Sequence, residues 1–131
     1  MSQPRRVPIA ILVSGRGTNM VALVRAAQEG RLHADVRVVL SNKADAAGLQ
    51  HAAGLGVPTL VMSHKDYASR EAFDQAMADA LAQRGVEYVA LAGFMRVLTP
   101  VFLHRFPRRV VNSSEEHTPE LQSRQVISYA V

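Results

Sequence analysis

Val7-Pro8-Ile9-Ala10-Ile11-Leu12-Val13-Ser14-Gly15-Arg16-Gly17-Thr18-Asn19 is the stretch on which the fold turns. Pro8 to Val13 is a short apolar run with no alternation of polar residues, the pattern of a strand buried on both faces. It ends in a glycine-rich turn. Beyond the turn, Met20, Leu23, Val24 and Ala27 recur at i, i+3, i+4 and i+7, which predicts a helix that Gly30 stops. Arg5 and Arg6 ahead of the apolar run have the form of a signal-peptide start, but Ser14-Gly15-Arg16-Gly17 offers no small-residue cleavage pattern. A first buried strand is the better reading.

Outward from this unit the alternation repeats. Val36 to Leu40 is a β-branched run followed by the turn Ser41-Asn42-Lys43 and an alanine-rich helical segment from about Asp45 to Leu55. Val57 to Met62 reads as a third strand. A long helix then starts near Ser69, with Glu71 favourable in its first turn, an apolar stripe of Phe73, Met77, Ala80 and Leu81, and Gly85 at its end. Tyr88 to Ala92 reads as a fourth strand. Thr99-Pro100 is an N-cap followed by proline at the first helical position, opening a short helix to about Phe106, and Val110-Val111 begins a fifth strand. Strands alternating with helices in this way predict βαβ units in an open, mostly parallel α/β sheet with right-handed crossovers. Ligands gather at the carboxyl ends of such strands. Here those ends are Ser14 to Asn19, Ser41 to Asp45 and Gly93 to Leu98.

Composition narrows the function classes. A chain of 131 residues, 48% hydrophobic and 20% charged, is sized for one domain and is neither disordered nor collagen-like. No run reaches the roughly 18 to 20 apolar residues of a membrane span. The absence of cysteine excludes disulfides, thiolate metal sites and a cysteine nucleophile, and fits a cytoplasmic protein. Residues 1–112 hold 14 Lys+Arg against 8 Asp+Glu, whereas 113–131 hold one Arg against three Glu. The basic part favours small anionic substrates; with three tyrosines and four phenylalanines to stack on bases, nucleic acid is not an expected partner.

Two loops carry the chemistry. In Ser14 to Asn19 the glycines allow a tight turn, and the free amides and dipole of the following helix start favour phosphate. The loop lacks the Gly-Lys-Ser/Thr ending of a Walker A motif. It departs from the dinucleotide fingerprint too, because Met20 stands at the third glycine and no acidic residue ends the second strand. Lys43 there leaves an NADP-binding Rossmann site open as an alternative, and a glycine turn that binds nothing is another. In Gly93-Phe94-Met95-Arg96-Val97-Leu98 the apolar residues suit the walls of a slot for a flat ring, with backbone amides for its polar edge. The plain alternative is a packing loop with Arg96 in solvent.

Taken in order, Ser14-Gly-Arg-Gly-Thr-Asn19, Ser41-Asn-Lys-Ala-Asp45, Ser69-Arg-Glu-Ala-Phe-Asp74, Leu91-Ala-Gly-Phe-Met-Arg96 and Asn112 resemble phosphoribosylglycinamide formyltransferase of de novo purine synthesis. The resemblance covers about residues 7 to 112. It implies a Rossmann-like formyltransferase fold. It also implies transfer of the formyl group of 10-formyltetrahydrofolate, the co-substrate, to the amine of 5-phosphoribosylglycinamide, with no metal. Gly17, Thr18 and Asn19 would then hold the phosphoribosyl end. Arg70, Met95, Arg96, Val97 and Leu98 would line the folate site, and Asn112 would hydrogen-bond the formyl oxygen as well as face the folate.

The sequence then leaves the family pattern. The family continues from asparagine with Ile-His-Pro-Ser, its histidine transferring protons, but here Ser113-Ser114-Glu115-Glu116 follow and Ser114 occupies the histidine position. His117 is three residues late for that role, and His33, His51, His64 and His104 read as solvated. From Ser113 to Gln125 the one aliphatic residue is Leu121, and Ser-Glu-Glu-His-Thr-Pro-Glu-Leu-Gln-Ser-Arg resembles translated sequencing adapter. The expectation is an N-terminal formyltransferase portion over 1–112, truncated after its fifth strand, and a polar tail over 113–131 foreign to the family. Such a chain would be catalytically inactive; the alternative is a binding module, a phosphate- or nucleotide-binding half-domain without catalysis.

Overall fold

A computed structural model describes residues 6–113. The expectations that concern Ser114, His117 and the rest of 114–131 lie outside those residues. Five strands, β1 (Val7–Val13), β2 (Ala34–Ser41), β3 (Thr59–Val61), β4 (Tyr88–Ala92) and β5 (Val110–Ser113), form one sheet in the order β3-β2-β1-β4-β5. All four pairings are parallel. Helices α1 (Thr18–Gln28), α2 (Ala47–Gly54), α3 (Arg70–Gln83) and α4 (Pro100–Arg105) connect the strands, with a single 3₁₀ turn at His64–Asp66 ahead of α3.

The strand order explains the two cores. The chain moves outward from β1 through β2 to β3, then crosses back to β4 and β5, so right-handed crossovers place α1 and α2 on one face and α3 and α4 on the other. Along β1 the side chains divide accordingly. Ala10 and Leu12 join Phe73, Met77, Leu81, Phe102 and Phe106. Ile9, Ile11 and Val13 join Met20, Val24, Ala27 and Ala52. A strand covered on both faces has no position left for a polar side chain, hence the unbroken apolar run.

The predicted elements are present, with instructive shifts. The third strand is shorter than its apolar run because Val57 and Pro58 precede the ladder and β3 lies at the sheet edge, paired to β2 alone. Ser69 caps α3 as expected, its hydroxyl accepting from the Ala72 amide at 3.0 Å. The stripe of α3 is rotated from the expected one, with Ala78 and Asp74 fully buried beside Phe73, Met77 and Leu81 while Ala80 is only half-buried.

Phe102 is completely buried between α3 and the sheet, its ring 5.3 Å from that of Phe106. Phe102→Ala is expected to destabilise the chain by about 3–5 kcal/mol, measured by urea unfolding. A loss below about 1 kcal/mol would mean that α4 does not seal this core.

Candidate functional site

The chain reverses its direction of travel across the sheet between β1 and β4. The loops that leave these neighbouring strands depart toward opposite faces and open a crevice at their carboxyl ends. The β1–α1 loop and the 93–99 loop therefore meet there, and they are bonded to each other. The Ser14 amide donates to the Gly93 carbonyl at 3.2 Å, prolonging the β1–β4 ladder. The Met95 amide donates to the Ser14 hydroxyl at 2.8 Å, and that hydroxyl donates to Asn42 Oδ1 at 2.7 Å. One side chain, 4% exposed, thus joins the turns that follow β1, β2 and β4.

Gly17 is the N-cap of α1 in a left-handed conformation, φ 78°. The helix start carries no side-chain cap and no acidic residue in its first turn, so its dipole meets the crevice without a built-in counter-charge. Glycine is required here for a second reason as well. A Cβ on Gly17 would lie 2.7 Å from the Gly48 Cα, and the Gly48 amide donates to the Gly15 carbonyl at 3.0 Å. The start of α2 therefore rests directly on the turn. On β2, the fully buried Ser41 hydroxyl accepts from the Lys43 amide and donates to the Lys43 carbonyl, both at 3.0 Å, which tightens the next turn. The Lys43 side chain is exposed.

From Gly93 to Val97 the residues of the 93–99 loop alternate between exposed and half-buried. Met95 and Val97 are 76% and 68% exposed, unusual for apolar residues, whereas Leu98 is buried in the core. Of the four residues expected to wall a ring slot, Met95 and Val97 are the outward-facing apolar pair, and Leu98 can contribute only its backbone. Arg96 turns inward rather than into solvent, its guanidinium 4.6 Å from the centroid of the Phe73 ring and its Nε and Nη2 buried without hydrogen-bond partners. Arg70, the first residue of α3, reaches the same strip and donates from Nη2 to the Val97 carbonyl at 3.4 Å.

The far end of the strip is fixed by Asp74, which is 0% exposed. Its Oδ2 accepts from both the amide and the hydroxyl of Thr99 at 2.7 Å. Thr99 does occupy the N-cap position of α4, but its hydroxyl is committed to Asp74 and gives α4 no side-chain cap. Two short charge-assisted bonds offset part of the cost of burying the carboxylate. Asn112, half-buried on β5, is in register with Leu91 on β4, which is in register with Leu12 on β1. It therefore lies two strand spacings, about 10 Å, from β1 along the same edge.

The structure thus brings Gly17, Thr18 and Asn19 to one wall of the crevice, joins Arg70 to the 95–98 strip, and leaves Asn112 at the other side. The profile of one family, described as formyl transferase, matches residues 7–115. The chain belongs to the formyl transferase family. Among curated proteins it is 45% identical over 114 residues to the trifunctional purine biosynthetic protein adenosine-3 of Drosophila melanogaster, across 86% of this chain and 8% of that protein. It is 38% identical over 104 residues to the phosphoribosylglycinamide formyltransferase of Haemophilus influenzae, across 79% of this chain and 49% of the relative. Among solved structures, glycinamide ribonucleotide transformylase 1 from Symbiobacterium toebii superposes with a TM-score of 0.82 at 38% identity, covering 98% of this chain and 63% of that one. This formyl transferase chain therefore spans about half the length of the Haemophilus influenzae relative and 8% of the Drosophila melanogaster one.

Sequence reading missed Gly48, Asn42 and Asp74, and gave Ser14 no task of its own. Asn42 and Asp74 stood within motifs of the sequence, but nothing local to either gave its partner, and Gly48 left no trace. Among the described residues no cluster of three or more His, Asp or Glu could hold a metal ion.

Gly17→Ala meets both an unfavourable φ and the Gly48 backbone, whereas Gly30→Ala has a similar φ of 82° and nothing within 4 Å. Thermal or urea unfolding is expected to show a loss of about 1 kcal/mol for Gly30→Ala and at least about 2 kcal/mol for Gly17→Ala. Equal losses would remove the close approach of α2 from the account. Thr99→Val, which deletes one bond to a buried carboxylate, is expected to cost about 1.5–3 kcal/mol in the same measurement.

Proposed function

We propose that this site serves transfer of a formyl group to the amine of 5-phosphoribosylglycinamide, as the names of its relatives suggest, with 10-formyltetrahydrofolate as the donor that the sequence motifs imply. The observation that carries the reading is the bond between the two ligand loops. An uncapped helix start opened by left-handed Gly17 is tied through Ser14 to a strip presenting exposed Met95 and Val97. An anion suits the first and a flat apolar ring suits the second.

In this reading Gly17, Thr18 and Asn19 hold the phosphoribosyl group. Met95 and Val97 cover the pterin, while the strip's backbone groups, Leu98's among them, serve its polar edge. Arg70 supplies a positive charge near the strip, and inward-turned Arg96 supports it from beneath. The substrate amine attacks the formyl carbon and forms a new C–N bond. The oxygen gains negative charge in the tetrahedral intermediate, where the Asn112 side-chain amide donates to it. Collapse breaks the bond to the folate N10, and the proton lost by the amine ends on N10. That proton needs a carrier within about 2.6–3.2 Å of both nitrogens, and a serine hydroxyl does not titrate in the required range. Ser114 at the family's histidine position therefore leaves the chain as written able to bind the phosphoribosyl substrate but slow to turn over.

Two measurements test this. Calorimetric titration is expected to show binding of phosphoribosylglycinamide. A formyl-transfer assay on the 131-residue chain is expected to run about 10² to 10⁴ more slowly than a relative with the histidine. A rate within about tenfold of such a relative would overturn the role given to Ser114. Binding of NADPH, followed by its fluorescence, without binding of the phosphoribosyl substrate would replace the formyl-transfer reading by a dinucleotide-binding one, with exposed Lys43 its contact to the 2′-phosphate.

A further inference from the structure

We infer that Ser14 is a positioning residue whose hydroxyl sets the Met95–Leu98 strip relative to the phosphate loop and transmits occupancy of that loop to the strip. The inference deepens the proposed function and rests on it. Ser14 directly follows β1 and precedes the glycine turn, and its backbone is already fixed by the bond from its amide to the Gly93 carbonyl. Its hydroxyl is 2.8 Å from the Met95 amide, which donates to it, and 2.7 Å from Asn42 Oδ1, to which it donates. Both capacities of the oxygen are used in a place almost closed to water. The bond from the hydroxyl to Asn42 orients the lone pair that receives the Met95 amide, so the three turns share one geometry.

The other holds on the strip act on its inward-facing residues and on one carbonyl: Phe94 and Leu98 pack on the core, Arg96 lies over Phe73, and Arg70 reaches the Val97 carbonyl at 3.4 Å. Met95 and Val97 project outward with no core contacts to hold them, and the second firm anchor, Asp74 on Thr99, lies four residues further along. Between these anchors stand the residues that face the proposed ring. A shift of the Ser14 hydroxyl is thereby felt first at the Met95 amide, where the outward-facing part of the strip begins. Ser14 is joined through Gly15 and Arg16 to Gly17, so an anion that tightens the helix start pulls on the same hydroxyl. The alternative, a hydroxyl that only satisfies a buried amide, predicts a stability loss without any link between the two loops.

Backbone amide NMR of the full chain separates these, with ribose 5-phosphate as the titrant. In the unsubstituted protein the resonances of Gly17 to Asn19 are expected to shift, and those of Met95 and Val97 to shift with the same saturation curve. In Ser14→Ala the loop response is expected to persist while the strip response falls at least about fivefold, and exchange of the Met95 amide quickens about tenfold, as expected for loss of one hydrogen bond. Ser14→Thr, which keeps the hydroxyl, is expected to restore the strip response. Gly30→Ala supplies a protein of reduced stability altered far from the crevice, and is expected to retain both responses.

A strip response of undiminished size in Ser14→Ala, or its loss in Gly30→Ala, overturns the inference and leaves the proposed function standing. So does a shift of the loop alone in the unsubstituted protein. No shift of Gly17 to Asn19 at saturating titrant overturns the phosphate-loop reading itself, and the inference with it.

Discussion

β1 has to be apolar on both faces because the sheet is wound in two directions from it. Its even-numbered residues enter one core and its odd-numbered residues the other, so the strand has no solvent face on which to carry a functional side chain. Function is displaced to its carboxyl end, where Ser14 is the first residue free to be polar. The position of the crevice follows from the same winding. Between the central neighbours β1 and β4 the loops leave toward opposite faces, and there the chain places its glycine turn and its exposed apolar strip.

Three different forces hold the crevice. At the β1–α1 turn the constraint is steric: left-handed Gly17 lies against Gly48, with no space for a side chain at Gly17 and a tight fit for one at Gly48. At the start of the 93–99 strip it is a hydrogen bond to a neutral hydroxyl. At the end of the strip it is a buried carboxylate holding two donors of one threonine. The strip between is free to present Met95 and Val97 to solvent because both ends are fixed from elsewhere in the chain.

The electrostatics divide in a comparable way. Several cations outside the crevice are already engaged: Arg105 pairs with Asp79 at 2.7 Å, Arg37 with Asp35 at 2.8 Å, and Arg6 donates to the carbonyls of Ala27 and Ala34. Exposed pairs of this kind contribute little to stability, but they absorb charge that composition alone makes available to a ligand. The start of α1, by contrast, has neither cap nor acid in its first turn. Net positive charge therefore does not by itself mark a position, whereas a helix start without acid in its first turn does.

Periodicity in the sequence was enough for the order and type of the elements, since a doubly covered strand and an amphipathic helix each leave a local pattern. Ordered motifs carried the family resemblance, and local glycine chemistry marked the β1–α1 turn. What the sequence could not supply are the partners of residues whose spacing has no local rule. Ser14 meets Met95 across 81 residues, Asp74 meets Thr99 across 25, and Gly17 meets Gly48 through a helix start whose sequence gives no sign of it. Arg96 and Leu98 turned inward for the same reason, because the alternation of a strip is set by where its two ends are tied. Element identity is written in contacts of three or four residues, whereas the shape of the crevice is decided by bonds between turns that only the closed sheet brings together.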